Sequence, residues 1–140
     1  PKWIKRWFKL ANNPKPNHLS IGRLGEQIAQ NYLKQQDYRI LDTNIKNRFG
    51  EIDIVCQSPH DPTIVIVEVK SCGSPSKKFR PEDHVTFKKQ QKLIALTAQL
   101  ARRYQLTHRL FRFDVVAVEM QANNRRLVIR HHIAAFESRT

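Results

Sequence analysis

Acid is what this chain has least of. Twelve aspartates and glutamates stand against twenty-five lysines and arginines, a formal charge of +13 at pH 7, and the isoelectric point is about 10.3. Such a balance favours a polyanionic partner, with nucleic acid ahead of an anionic membrane surface; the plainer alternative is a generally basic, solvated exterior. Cysteine is nearly as scarce, with only Cys56 and Cys72. They end different predicted strands, and no Cys-x-x-Cys or Cys/His ligand spacing exists, which argues against a zinc site. Reduced thiols in a cytoplasmic protein are expected. Long apolar runs are missing too. Lys2, Lys5, Arg6 and Lys9 interrupt the first segment, so no secretory apolar core is present, and no stretch reaches the length of a membrane span. The six histidines are scattered, and His131 and His132, adjacent on a strand, point to opposite faces and cannot chelate one ion together. There is no internal repeat and no low-complexity segment.

What remains is ordinary for a globular chain. Hydrophobic residues make 40% and charged residues 26% of 140 positions, enough for one domain with its own core. Residues 1–18 form a distinct basic arm with five cationic side chains and no acid. Trp3, Ile4, Trp7, Phe8 and Ala11 recur there at helical spacing until Pro14 and Pro16. Three readings of the arm compete. It docks on its own domain or on a second copy, it anchors at a membrane surface, or it touches nucleic acid; docking is favoured, since two tryptophans favour burial.

The domain occupies 19–140. Ser20 suits an N-cap, and Ile21, Leu24, Ile28 and Tyr32 form one stripe of a helix ending near Gln36. Tyr38 to Asn44, Glu51 to Gln57 and Thr63 to Lys70 read as three strands, the last nearly all β-branched and therefore central. Asn47 to Gly50 and Ser58 to Pro62 carry turn residues. A basic loop over 71–80 precedes a second helix capped by Thr86 and running to about Tyr104, with Leu93, Leu96, Leu100 and Tyr104 inward. Phe111 to Met120 is a fourth strand, and Arg126 to Ile133 reads as a fifth. The order αβββαβ, with one extra strand, gives an α/β fold in which helices flank a central mixed sheet.

Three of the scarce acids, Glu51, Asp53 and Glu68, fall in or beside apolar strands, where a carboxylate is costly. Glu68 and Lys70 point the same way from one strand. If Asp53 opposes Glu68 across a hairpin, directly or one diagonal step away, all three converge. Two carboxylates, the carbonyl of Val69 and waters would suit Mg²⁺ or Mn²⁺. Such a metal would polarise a phosphoryl oxygen and acidify a bound water, while Lys70 orients that water or helps deprotonate it. Glu26, reaching in from the first helix, could bind a second metal or a metal-bound water. Lys77, Lys78, Arg80 and Lys89 flank the lysine end of the third strand as candidate phosphate contacts. Blander readings stand beside these. A Glu–Lys pair two apart is commonly a solvated strand face, and Asp53 alone could hydrogen-bond a loop. Glu51 should face away from Asp53, exposed or paired with Arg48. Asp114 should be structural, paired with Arg112 or a helix residue.

Gly25-Glu26, Gly50-Glu51-Ile52-Asp53, Val67-Glu68-Val69-Lys70, Val85-Thr86 with Lys89-Gln90, and Arg112-Phe113-Asp114-Val115-Val116 together resemble the signature of the YraN family. That family comprises small uncharacterised bacterial proteins assigned to the restriction-endonuclease-like, PD-(D/E)xK superfamily, and the resemblance covers roughly residues 20–136. It implies a restriction-endonuclease-like fold and an inferred endonuclease activity. Asp53, Glu68 and Lys70 match the superfamily's metal ligands and lysine, and Glu26 its first-helix acid. Ser71-Cys72 departs from the basic or hydroxyl-bearing pair that often follows the lysine. The reading from the sequence is thus a nucleic-acid-binding protein, DNA ahead of RNA, that hydrolyses phosphodiesters with Mg²⁺ or Mn²⁺, in resolvase-like recombination or repair by analogy of fold. The alternatives are a non-catalytic binding module of the same fold and a membrane-surface adaptor. A nuclease with symmetric products would favour a homodimer.

Overall fold

The computed structural model describes residues 18–73, 80–121 and 126–137. Its elements run α1 (His18–Gln35), β1 (Arg39–Asn47), β2 (Gly50–Gln57), β3 (Ile64–Cys72), a 3₁₀ turn (Pro81–His84), α2 (Phe87–Arg103), β4 (Phe111–Gln121) and β5 (Arg126–Phe136). This is the expected helix, three strands, helix and two strands. The five strands lie in chain order across one sheet. β3 and β4 are parallel and the other neighbours antiparallel, so α2 is the crossover that a parallel pair requires. Of the expected arm over 1–18, only His18 falls within the described residues, where it opens α1. No helix among the described residues is long and apolar enough to cross a membrane.

Each face of the sheet carries one helix. Ile21, Leu24, Ile28, Ala29 and Leu33 of α1 pack with Ile54, Cys56, Val65, Val67, Val69, Val116 and Val118. On the other face Leu93 and Leu96 of α2 pack with Ile52, Ile64, Ile66 and Phe113. The alternation of β3 follows directly, with Val65, Val67 and Val69 toward α1 and Ile64 and Ile66 toward α2. Both described cysteines are free, and burial pushes the Cys56 thiol up to about 12.

Several boundaries and faces differ from expectation. α1 starts at His18, so Ser20 lies inside the helix instead of capping it. β5 continues beyond Ile133 to Phe136, which stacks on Phe113 with ring centroids 5.0 Å apart. Tyr104 is 62% exposed, because α2 ends one residue earlier and leaves it as the C-cap, outside the apolar stripe. Thr86 does cap α2, accepting from the Lys89 amide at 3.2 Å. Gly25 is required by a close approach. A Cβ there would collide with the Ser71 side chain, and the Ser71 hydroxyl donates to the Ile21 carbonyl. α1 is thereby seated against the end of β3.

Candidate metal centre

β2 and β3 pair in the register Ile54↔Val67, Val55↔Ile66 and Cys56↔Val65. Continued by one step, that register sets Asp53 opposite Glu68, the arrangement the hairpin argument required. The backbone ladder stops there. The Val69 amide instead donates to Asp53 Oδ2 at 2.8 Å, so a side chain takes the place of a strand partner. Val69 thus holds Asp53 through its N–H, beside the carbonyl expected to serve a metal.

Both carboxylates are buried, Asp53 at 6% exposure and Glu68 at 2%. Burial, then the neighbouring Glu68, push Asp53 up to about 8, against the bond from Val69. Glu68 Oε1 faces two ammonium groups, Lys89 Nζ at 2.9 Å and Lys70 Nζ at 3.7 Å. Its other oxygen, Oε2, is buried without a hydrogen-bond partner. An orphaned carboxylate oxygen in a dry site is costly. A divalent cation between Asp53 and Glu68 would satisfy it and offset the raised affinity of Asp53 for a proton. By donor chemistry the pair fits Mg²⁺ or Mn²⁺, which take few protein ligands and keep several waters.

The other expected residues fall around this pair. Glu26 stands on α1, close enough for the charge of Glu68 to act on it. It bonds Asn44 from α1, and burial followed by the charge of Glu51 raises its affinity for a proton. Lys89 meets Glu68, where a phosphate contact was expected. Arg80 is exposed, its amide bonded to Asp83 Oδ2 at 2.9 Å. Lys77 and Lys78 lie outside the described residues.

Glu51 is exposed, one of the two expected outcomes, and its ion-pair partner is Lys46 at 3.6 Å and not Arg48. It lines a cavity of about 230 Å³ with Lys89 and Lys92. Regular alternation sets residues two apart on one side, so the expectation that Glu51 faces away from Asp53 does not follow from it; the strand is also irregular here, with Ile52 packing toward α2 and Ile54 toward α1. The β1–β2 register runs from Thr43↔Ile54 to Ile45↔Ile52, and Asn44 between them has φ 53°. Asparagine is among the few residues that adopt this left-handed conformation readily.

A larger cleft, about 550 Å³, opens at the other end of α2 near Ile94, Thr97, Ala101, Arg109 and Phe111. It lies away from the carboxylate pair. Asp114 behaves as expected, bound by both arms of Arg112 at 2.8 Å.

Residues 25–118 match the model of the uncharacterised protein family UPF0102. A UPF0102 protein of Clostridium beijerinckii is 36% identical over 116 residues, 83% of this chain and 92% of its own length. Those of Syntrophus aciditrophicus and Caldicellulosiruptor bescii are 40% and 41% identical over 120 and 111 residues, 86% and 77% of this chain and 88% and 89% of theirs. The matched span takes in Glu26, Asp53, Glu68, Lys70 and Lys89. On these matches the chain belongs to the uncharacterised protein family UPF0102.

Proposed function

We propose that this protein is a metal-dependent endonuclease of the restriction-endonuclease-like, PD-(D/E)xK type, hydrolysing phosphodiester bonds in nucleic acid, DNA ahead of RNA. One observation carries the reading: Asp53 and Glu68 are buried side by side, with Glu68 Oε2 unpartnered and two lysines at the other oxygen. A structural acid would be satisfied. This pair keeps one buried oxygen unpartnered in a chain rich in cations.

Asp53 and Glu68 would hold Mg²⁺ or Mn²⁺. Bound there, the ion would supply Lewis-acid polarisation of a phosphoryl oxygen and a more acidic water. The chain's own residues do the rest. Val69 fixes the orientation of Asp53 through its amide. Lys70, on the same strand and face as Glu68, presents its ammonium to the attacking water and to charge building on phosphorus. The basic exterior gathers the polyanion and makes binding salt-dependent. The second reading is a non-catalytic nucleic-acid-binding module, favoured by the 2.9 Å Lys89–Glu68 pair, which partly neutralises the acid without a metal.

The test is cleavage of junctions, flaps and nicked duplexes with Mg²⁺ and Mn²⁺ in turn. Wild type should yield products, and Lys70→Ala should slow single turnover by roughly 10²–10⁴ while holding affinity within a small factor. Wild type yielding nothing above Glu68→Ala on every substrate would leave the binding module. Products formed as fast by Lys70→Ala would remove the lysine's role and keep the nuclease.

A further inference from the structure

Two ammonium groups share one oxygen of Glu68, but they are attached differently. Lys70 belongs to the same strand as Glu68, at 3.7 Å; Lys89 comes from the opposite layer, on the first turn of α2, and sits closer, at 2.9 Å. The Lys89 backbone is pinned by the Thr86 cap, whereas its side chain remains 34% exposed. The stem is anchored and the charge is at the solvent boundary.

We infer that Lys89 is an exchangeable counter-cation, seated on Glu68 in the metal-free protein and released when a substrate phosphate arrives, so that metal and nucleic acid bind with positive coupling. The inference rests on the reading of Asp53 and Glu68 as a metal pair. A divalent ion held by those carboxylates, through the free Oε2 of Glu68, would place like charge beside Lys89 on the other oxygen of the same carboxylate. The ammonium has somewhere to go. The 230 Å³ cavity next to it is walled by Glu51 and Leu96, and Glu51 makes a loose, exposed contact with Lys46. A phosphate oxygen over the site offers Lys89 a charge-assisted partner outside the carboxylate pair. Each ligand removes an obstacle to the other, and the effect is reciprocal by linkage.

Lys89 is therefore assigned a regulatory part that a plain phosphate contact lacks. Removing a phosphate contact only weakens nucleic-acid binding. Removing an exchangeable counter-cation also strengthens metal binding.

The experiment is calorimetric titration of Mn²⁺ into the full chain, with and without a phosphorothioate-substituted nicked duplex. Wild type should bind Mn²⁺ roughly 5- to 100-fold more tightly with the duplex present, the usual span of coupling between linked sites. Lys89→Gln should bind Mn²⁺ about tenfold more tightly without duplex and gain little more from it. Lys92→Gln removes the same charge one turn away and controls for bulk electrostatics; it should change Mn²⁺ affinity by less than about twofold, since exposed charges are screened. Circular dichroism of both variants checks that they fold. Three outcomes overturn the inference while leaving the metal pair standing: Lys89→Gln binding Mn²⁺ no more tightly than wild type, Lys92→Gln tightening it equally, or a duplex that leaves wild-type Mn²⁺ affinity unchanged. Wild type that binds no Mn²⁺ in either condition overturns the metal pair and the inference together.

Discussion

Asp114 and the Asp53/Glu68 pair are buried carboxylates on opposite faces of one sheet, and they are treated in opposite ways. Asp114 is fully buried and saturated. Arg112 grips both oxygens at 2.8 Å, His131 Nε2 lies 2.7 Å from Oδ2, and the Ala134 amide donates to Oδ1 at 3.0 Å. The network continues to Tyr32 of α1 through His131 Nδ1, and to Tyr38 through Arg112. Burial alone would raise the proton affinity of Asp114, but the bonds from His131, Arg112 and Ala134 hold it below the usual carboxylate range. Asp53 has one backbone donor, and burial beside a second acid drives it the other way. Equal burial with unequal satisfaction separates a carboxylate that holds the fold together from a pair arranged to receive something. The Glu82 cluster belongs with Asp114. Burial there is outweighed by bonds from Arg130 and His132, which hold Glu82 at about 2 and tie the 3₁₀ turn to β5.

The contrast can be broken most forcefully at Asp114. Asp114→Ala strands the Arg112 guanidinium and should remove about 3–5 kcal/mol of stability, read from urea unfolding near neutral pH. A loss under about 1 kcal/mol would show that the network is ornamental.

At Asp53 the sign should reverse. Its folded-state proton affinity is raised, so the metal-free fold binds more protons than the unfolded chain between about pH 4 and pH 8. That stability is fully present below pH 4 and lost as pH rises through 8. Asp53→Asn should therefore stabilise the metal-free protein by about 1–3 kcal/mol at pH 8 and flatten this alkaline slope. Mn²⁺ should raise the melting temperature of wild type and leave the variant unmoved. Asp114 contributes the opposite slope, present above the unfolded value near 3.8 and lost on acidification. A destabilised Asp53→Asn at pH 8 would mean the carboxylate is better satisfied than its single backbone donor indicates.

The smallest effect sharpens the comparison from outside. Lys46 and Glu51 form an exposed pair at 3.6 Å, and Lys46→Ala should alter stability by no more than about 0.5 kcal/mol. A larger loss, measured by the same unfolding curves, would show that this edge of β1 is more than a solvated rim.

The fold was legible because its signals are local and periodic. The β-branched run of β3 marked a strand covered on both faces, and Thr86 marked the start of α2. Asp53, Glu68 and Lys70 were legible as a convergent set because strand alternation and a short hairpin loop fix their side and approximate level. The side expected for Glu51 did not come from alternation, which sets residues two apart on one face. The Lys89–Glu68 contact was beyond reach from spacing, since it depends on how far α2 leans over the sheet. Lys77 and Lys78 fall outside the described residues, so the basic loop adds nothing to the comparison.

The bond from the Val69 amide to Asp53 Oδ2 has a spectroscopic consequence. One backbone proton is directly coupled to the state of the candidate site. Protonation of Asp53, arrival of a cation, or substitution to asparagine would each alter the acceptor strength of that oxygen, and the ¹H–¹⁵N resonance of Val69 would move with it. The alternating partners along β3, Val65 and Val67, lie deeper in the α1-facing core and would stay still. A single cross-peak would report occupancy of the site without any substrate being added.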